Sequence, residues 1–390
     1  MRTSLLRLTT FALLLLAASP ARADEGSRLR LRGLLDLTLH NDTHSAELAR
    51  FGLTSSPLES QRLRLFAEGS ATANIDVFTQ VVISQDEFWL DGAYALITPW
   101  KQRDLHLMAG KIPAPIGAWA PRTYSNKNPL VTSPLMYQHH TSLRWDDTPS
   151  SPAALLAAAG KGYEGADYGY GAGDLGMPVV DDYGWDFGIV ALGSVAPIEF
   201  SVGLTNSAPG WASPGTDVND GQAVQGRIGF VPTAGLRMGV SAAHGAYLGD
   251  WVRWAMPADK TEADYPQTLG MADFSFERGH FDLRAEGFAN AWKTPYCGTL
   301  RNHGGYAEGR YGFDNGVWVA VRAEGMRFSD LTAGAVTRAW DDDVDRVDSG
   351  MGYRLARGAA IKGSWQRTRL HQADGVQTFD LFLAQLSLEF

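Results

Sequence analysis

A single cysteine, Cys297, occurs in 390 residues. One thiol excludes an internal disulfide framework and any multi-thiolate metal site, and its setting in TPYCGTLRN reads as a free loop thiol. Long apolar runs are just as scarce. Beyond the first 23 residues no stretch of eighteen or more apolar residues exists, so no helix there could span a bilayer. Positive charge is in deficit, with 34 Lys and Arg against 43 Asp and Glu, a balance that argues against nucleic acid as a partner. Catalytic signatures are missing as well. There is no G-x-S-x-G elbow, no H-E-x-x-H, no recurrent Ser/His/acid spacing and no G-x-x-x-x-G-K-[ST] run. The expectation is therefore a chain that is not an enzyme and needs no cofactor.

What is present begins with a targeting signal over residues 1–23. Arg2 and Arg7 give a positive start, FALLLLAA supplies a short apolar core, and Ala21-Arg22-Ala23 is a small-x-small cleavage site. Its removal takes Arg2, Arg7 and Arg22 away, so the net charge moves from -9 to -12. Residues 24–390 then form one unit, with no sign of a second domain.

Within that unit, segments of about ten residues alternate apolar and polar side chains. In SRLRLRGLLDLTLH, Leu29, Leu31, Leu35, Leu37 and Leu39 share one face, and Arg28, Arg30 and Arg32 the other. QRLRLFAEG repeats the pattern, and paired segments recur from Gly184 to Leu370. Tight turns such as Asp314-Asn315-Gly316 alternate with long polar connections rich in Trp, Pro and Asp. Alternation with a mean apolar content of only 45% predicts an all-β, transmembrane, antiparallel up-and-down β-barrel of sixteen to eighteen strands. The count turns on the alanine-rich stretch Ala153–Lys161, which is either a further strand or a short helix inside a loop.

The last residues, VQTFDLFLAQLSLEF, put Phe382, Ala384, Leu386 and Leu388 on one face, with Phe390 at its tip. This segment resembles the C-terminal strand of bacterial outer-membrane barrels. The resemblance implies a Gram-negative cell outer membrane as location, its lipids as surroundings, and recognition of Phe390 by the barrel assembly machinery. Lys111 to Thr141 is a proline-punctuated connection after the fifth strand, carrying Lys111, Arg122, Lys127, His139 and His140. It is similar to the third loop of porins, which folds inward as a constriction. LMAGKIPAPIG, from Leu107 to Gly117, resembles a strand-to-loop segment of the phosphate-selective porin-like family. A homotrimer is implied by the porin resemblance alone. A second loop, Gly162 to Gly184, is rich in glycine and tyrosine.

Strand parity sends Arg28, Arg30, Arg32, Arg62, Arg64, Arg227, Arg237, Arg284, Arg310, Arg322, Arg354 and Lys362 to the interior, with Asp76, Asp273, Asp282, Glu286, Glu308, Glu324 and Asp348. Ions in such number require water, so the interior should be an aqueous channel. The expected function is passive diffusion of ions and small hydrophilic solutes, weakly anion-selective through the arginines of the first two strands. A barrel enzyme such as a lipid hydrolase and a substrate-specific transporter are the alternatives. Adjacent His139 and His140 point to opposite sides of a strand and do not chelate one metal together, so no metal site is expected. The acidic run Asp341 to Asp345 reads as a solvated loop, with divalent-cation binding as the second reading.

Overall fold

In the computed structural model residues 29–41, 60–84, 87–169, 175–181, 184–211, 219 and 221–390 are described; the predicted signal segment and Arg28 lie outside them. The first nine strands are β1 (Arg30–His40), β2 (Ser60–Thr72), β3 (Ile75–Ser84), β4 (Glu87–Ile97), β5 (Leu105–Pro113), β6 (Trp185–Val195), β7 (Ile198–Thr205), β8 (Ala223–Thr233) and β9 (Leu236–Ala246). After them come β10 (Pro266–Arg278), β11 (Phe281–Thr294), β12 (Gly298–Gly312) and β13 (Val317–Phe328). A small separate hairpin, β14 (Asp330–Ala333) and β15 (Val336–Ala339), precedes β16 (Asp343–Ala356), β17 (Ala359–Gln372) and β18 (Gly375–Glu389).

All but β14 and β15 join one closed antiparallel barrel, so sixteen strands form the wall. Of the sixteen to eighteen strands expected, the count settles at sixteen, and Ala153–Lys161 is not a strand. Pro152–Ala158 forms helix α2, whose Ser151 side chain accepts from the Ala154 backbone N–H at 3.2 Å and whose first residue is proline. A serine N-cap followed by proline at the first helical position is a helix start, and it outweighs the alternation that alanines can mimic.

Closure runs through β1 and β18, with Leu35 opposite Leu388, Leu37 opposite Leu386 and Leu39 opposite Ala384. Phe390 extends the seam by exchanging backbone hydrogen bonds with Gly33, at 2.7 and 3.0 Å. The connections alternate as expected. One end of the barrel carries two-residue turns such as 234–235 and 279–280, and the other carries long loops such as 206–222 and 247–265.

Polarity across the wall is the reverse of a water-soluble protein. Leu31 and Val240 are 65% and 60% exposed on the outside, while Asp36 and Arg322 are 1% and 0% exposed on the inside. A largely apolar outer face around a polar interior is suited to lipid rather than water. Val240→Arg, near the middle of β9, should therefore lower unfolding stability in lipid vesicles by ~2–4 kcal/mol, measured by urea titration. Unchanged stability would mean that this face does not meet hydrocarbon.

Candidate functional site

The interior is dominated by the connection of residues 114–184 between β5 and β6, the third at the long-loop end. The two loops expected at Lys111–Thr141 and Gly162–Gly184 are parts of this one segment, and Lys111 itself lies on β5 rather than in the loop. Two glycines flank the end of β5, Gly110 within the strand and Gly117 beyond it. Gly110 has φ +128°, and a Cβ there would stand 2.4 Å from the Ala93 carbonyl oxygen. Gly117 has φ +64°, a left-handed conformation that side chains rarely adopt. Between them Lys111 donates to the Leu90 carbonyl at 2.8 Å. Beyond them the Gly117 and Ala118 N–H groups donate to Ser241 Oγ at 3.0 Å and to Glu286 Oε2 at 3.2 Å.

From there the connection crosses the lumen and is held against β11–β17 by buried charge. Arg322 donates to Glu324 at 2.9 Å, to Glu308 and Asp348 at 3.3 Å each, and to the Thr132 carbonyl at 2.9 Å. Arg346 donates to the same Glu324 oxygen at 2.8 Å and to the Ser133 carbonyl at 2.5 Å. Arg122, from the loop, pairs with Glu308 and lies 4.9 Å over the Trp119 ring. Three guanidinium groups thus face three carboxylates. Glu286 accepts from Tyr137 of helix α1 (Leu135–Gln138) at 2.6 Å and from Tyr306 at 2.7 Å. Lys362 donates to three loop carbonyls, those of Ser125, Asn128 and Leu130, at 2.7–2.9 Å.

This clamp corrects the inference that inward charges demand water. Arg322, Glu286, Glu308, Glu324, Asp348 and Lys362 are all buried, because the connection supplies donors, acceptors and counter-charges in place of solvent. The arginine ladder is altered too. Arg62 and Arg64 both reach Asp36, at 3.3 and 3.4 Å, and Arg32 pairs with Glu68. Asp36 was overlooked although its parity on β1 matches that of Arg30 and Arg32, and Arg346 although it shares the parity of Asp348. Of the remaining arginines, Arg227 pairs with Asp273 at 2.6 Å, Arg237 with Glu199 at 2.9 Å and Arg284 with Asp282 at 2.8 Å. Arg310 lies 5.6 Å over Trp318.

Toward the long-loop end the space is filled by an apolar core. Trp119, Met136, Leu143 and Val179 from the connection meet Tyr247 and Leu248 from a later loop and the inward Met271, Phe288, Trp292 and Phe328. Glycine permits the close approaches within it. A Cβ on Gly176 would sit 1.6 Å from the Thr141 carbonyl oxygen, and one on Gly162 2.2 Å from that of His140. His139 packs on Tyr163 and Phe328, and His140 contacts the Gly176 carbonyl; burial lowers the His140 pKa. No cluster able to hold a metal ion occurs among the described residues. Cys297 is buried in the turn between β11 and β12, which pushes its thiol up to about 11 and leaves little thiolate.

The acidic run is not a solvated loop. Asp341 and Asp342 are buried, and Asp341 accepts from the backbone N–H groups of Gly160 and Ser142 at 2.7 and 2.6 Å. Asp345 pairs with Arg327 at 2.5 Å.

Toward the short-turn end the lumen opens into three adjoining cavities of about 390, 490 and 540 Å³. Arg32, Lys127 and Glu389 line the first, Arg30, Glu68 and Asp76 the second, and Asp282, Arg284, Arg310 and Arg354 the third. A fourth cavity of about 30 Å³, room for about one water, continues from the first between Trp119, Tyr137, Val180 and Trp185. The widest space is thus a charged vestibule beneath the connection.

No family model and no curated protein matches the chain. Solved structures do. OmpF of Salmonella typhi, in complex with daunomycin, has a TM-score of 0.58 at 10% identity, over 94% of this chain and 98% of that one. An anion-selective porin from Comamonas acidovorans has a TM-score of 0.55 at 11% identity, over 93% and 99%. The trimer form of OmpT, an outer membrane protein of Vibrio cholerae, has a TM-score of 0.53 at 10% identity, over 94% and 100%. At such identities the likeness is one of fold: the barrel has the architecture of bacterial outer-membrane porins.

Two outcomes test the site. Arg322→Met leaves three carboxylates without their shared cation and should cost ~3–5 kcal/mol in urea unfolding of the refolded protein. Burial raises the Asp341 pKa to about 6 from 3.8, so the stability it contributes is fully present below about pH 4 and is lost as pH rises to about 6. The stability difference between wild type and Asp341→Asn should shift in that direction across that window and be flat above it.

Proposed function

We propose that the chain is a porin of a Gram-negative outer membrane, passing ions and small hydrophilic solutes by passive diffusion. The carrying observation is the charged vestibule at the short-turn end, enclosed by an outwardly apolar wall and capped by a connection folded into the lumen. A signal peptide removed after residue 23 delivers the chain, and the assembly machinery reads the strand ending in Phe390. The long loops then face outward from the cell. A homotrimer is the proposed assembly, by likeness to a structure solved as a trimer.

Selectivity is proposed to be weakly anionic, as one neighbour of the same fold is named. Arg30, Arg32 and Lys127 carry it, because they line the vestibule and are exposed there, Arg32 beside its partner Glu68, whereas Arg62 and Arg64 are drawn to the buried Asp36. The likeness of Leu107–Gly117 to the phosphate-selective porin-like family fits this reading, as the stretch leads from β5 into the connection that fills the lumen.

Purified protein in a planar bilayer should give stepwise, ohmic conductance, and replacing residues 118–181 by a short linker should raise it several-fold. Arg30→Gln with Arg32→Gln should move the reversal potential in a salt gradient towards cations. Folded protein that gives no steps, with or without the connection, overturns the proposal.

A further inference from the structure

Among the described residues the 390 Å³ cavity differs from its neighbours in chemistry. Its wall is aromatic. Phe66, Phe78, Tyr94 and Trp185 come from β2, β3, β4 and β6, and the first three share the inward parity of the charges around them. Phe78 and Trp185 are nearly parallel, at 10° with centroids 6.1 Å apart, and Tyr94 lies at 26° to Trp185 at 6.3 Å. The rings are only half-buried, so ring surface faces the cavity. Opposite them the folded-in connection contributes Pro121 and Tyr124.

The arrangement is preorganised. A Cβ on Gly92 would come within 2.5 Å of the Trp185 ring, so glycine there lets the indole lie flat on the backbone of β4. Tyr124 is fixed by its hydrogen bond to Gln80 at 2.7 Å, and Arg64 lies 5.4 Å over its ring. Charge sits at the margin. Arg32, over the Phe66 ring at 5.8 Å and paired with Glu68 of the adjoining cavity, and Lys127 are exposed there; Glu389 is the one carboxylate on this lining itself, and its oxygen accepts from Asn126 at 2.9 Å.

Flat apolar walls with cations at one margin suit a ligand with a planar ring and a single anionic group. A bare inorganic anion gains nothing from the rings. A sugar would need polar partners around its whole edge, and the lining offers few. We infer that this cavity is a binding site for small aromatic carboxylates on their way through the barrel. The ring lies against Trp185 and Phe78, and the carboxylate lies between Arg32 and Lys127. The inference rests on the channel reading, and it names the solute class that the passage would favour.

The test is equilibrium binding to the full-length protein refolded in detergent, with benzoate, acetate and glucose titrated separately by calorimetry. Benzoate should bind saturably and acetate at least tenfold more weakly. Trp185→Leu should weaken benzoate about tenfold, as should Lys127→Gln, a change at an exposed loop position that leaves the barrel wall untouched. Equal affinity for acetate, tighter binding of glucose, or no binding of benzoate overturns the inference. Because binding is read without current, a protein that conducts but does not bind benzoate sinks this inference alone. One that binds but does not conduct sinks the channel reading.

Discussion

Everything inside the barrel depends on pairing charges that are out of reach of water. Sixteen strands enclose more volume than inward side chains can fill, and the third connection occupies it only because its polar backbone is matched. Arg322, Arg346 and Lys362 present donors to the carbonyls of residues 125–133, while Glu286 and Glu324 present acceptors to the N–H groups of Ala118 and Leu135. Strand charges and loop amides answer each other, so the loop behaves as a buried element in spite of its irregular backbone.

The clamp is one-sided. Its strongest contacts lie on β11–β17, and the wall formed by β1–β6 meets the connection mainly through aromatic rings, Gln80 and Asp36. Open volume lies beneath the clamp toward the short-turn end on both sides, two cavities along the first strands and a third along β10–β18. The position of the vestibule therefore follows from where the buried carboxylates were placed along the strands.

The outer surface was legible in the sequence because lipid imposes a rule on every second residue. Leu35, Leu37 and Leu39 against Phe382 to Leu388 could be read as an apolar face from parity alone. Parity also placed Arg322, Glu308 and Glu324 inside, but it could not say what they touch. Whether an inward charge meets water or a folded-back segment depends on where residues two hundred positions away settle. Between strand and helix the reading of Ala153–Lys161 stayed open for a related reason: a run of alanines satisfies several periodicities, and Ser151 with Pro152 is a local signal that alternation does not weigh. The acidic run misled in the same way, since Asp341 becomes an anchor only when Ser142 and Gly160 arrive beside it.

The contact among Ser125, Asp36 and Ser387 bears on the order of assembly. Asp36 lies on the first strand, Ser387 on the last, and Ser125 bonds to both from the first part of the third connection. The tip of the connection therefore straddles the junction at which the sheet becomes a cylinder. A wall that zipped shut beforehand would confront a folded polar segment with a sealed cylinder and an interior of unpaired ions. Seating this segment and joining the first strand to the last are thus coupled, since Asp36 and Ser387 share Ser125 only when both are in place.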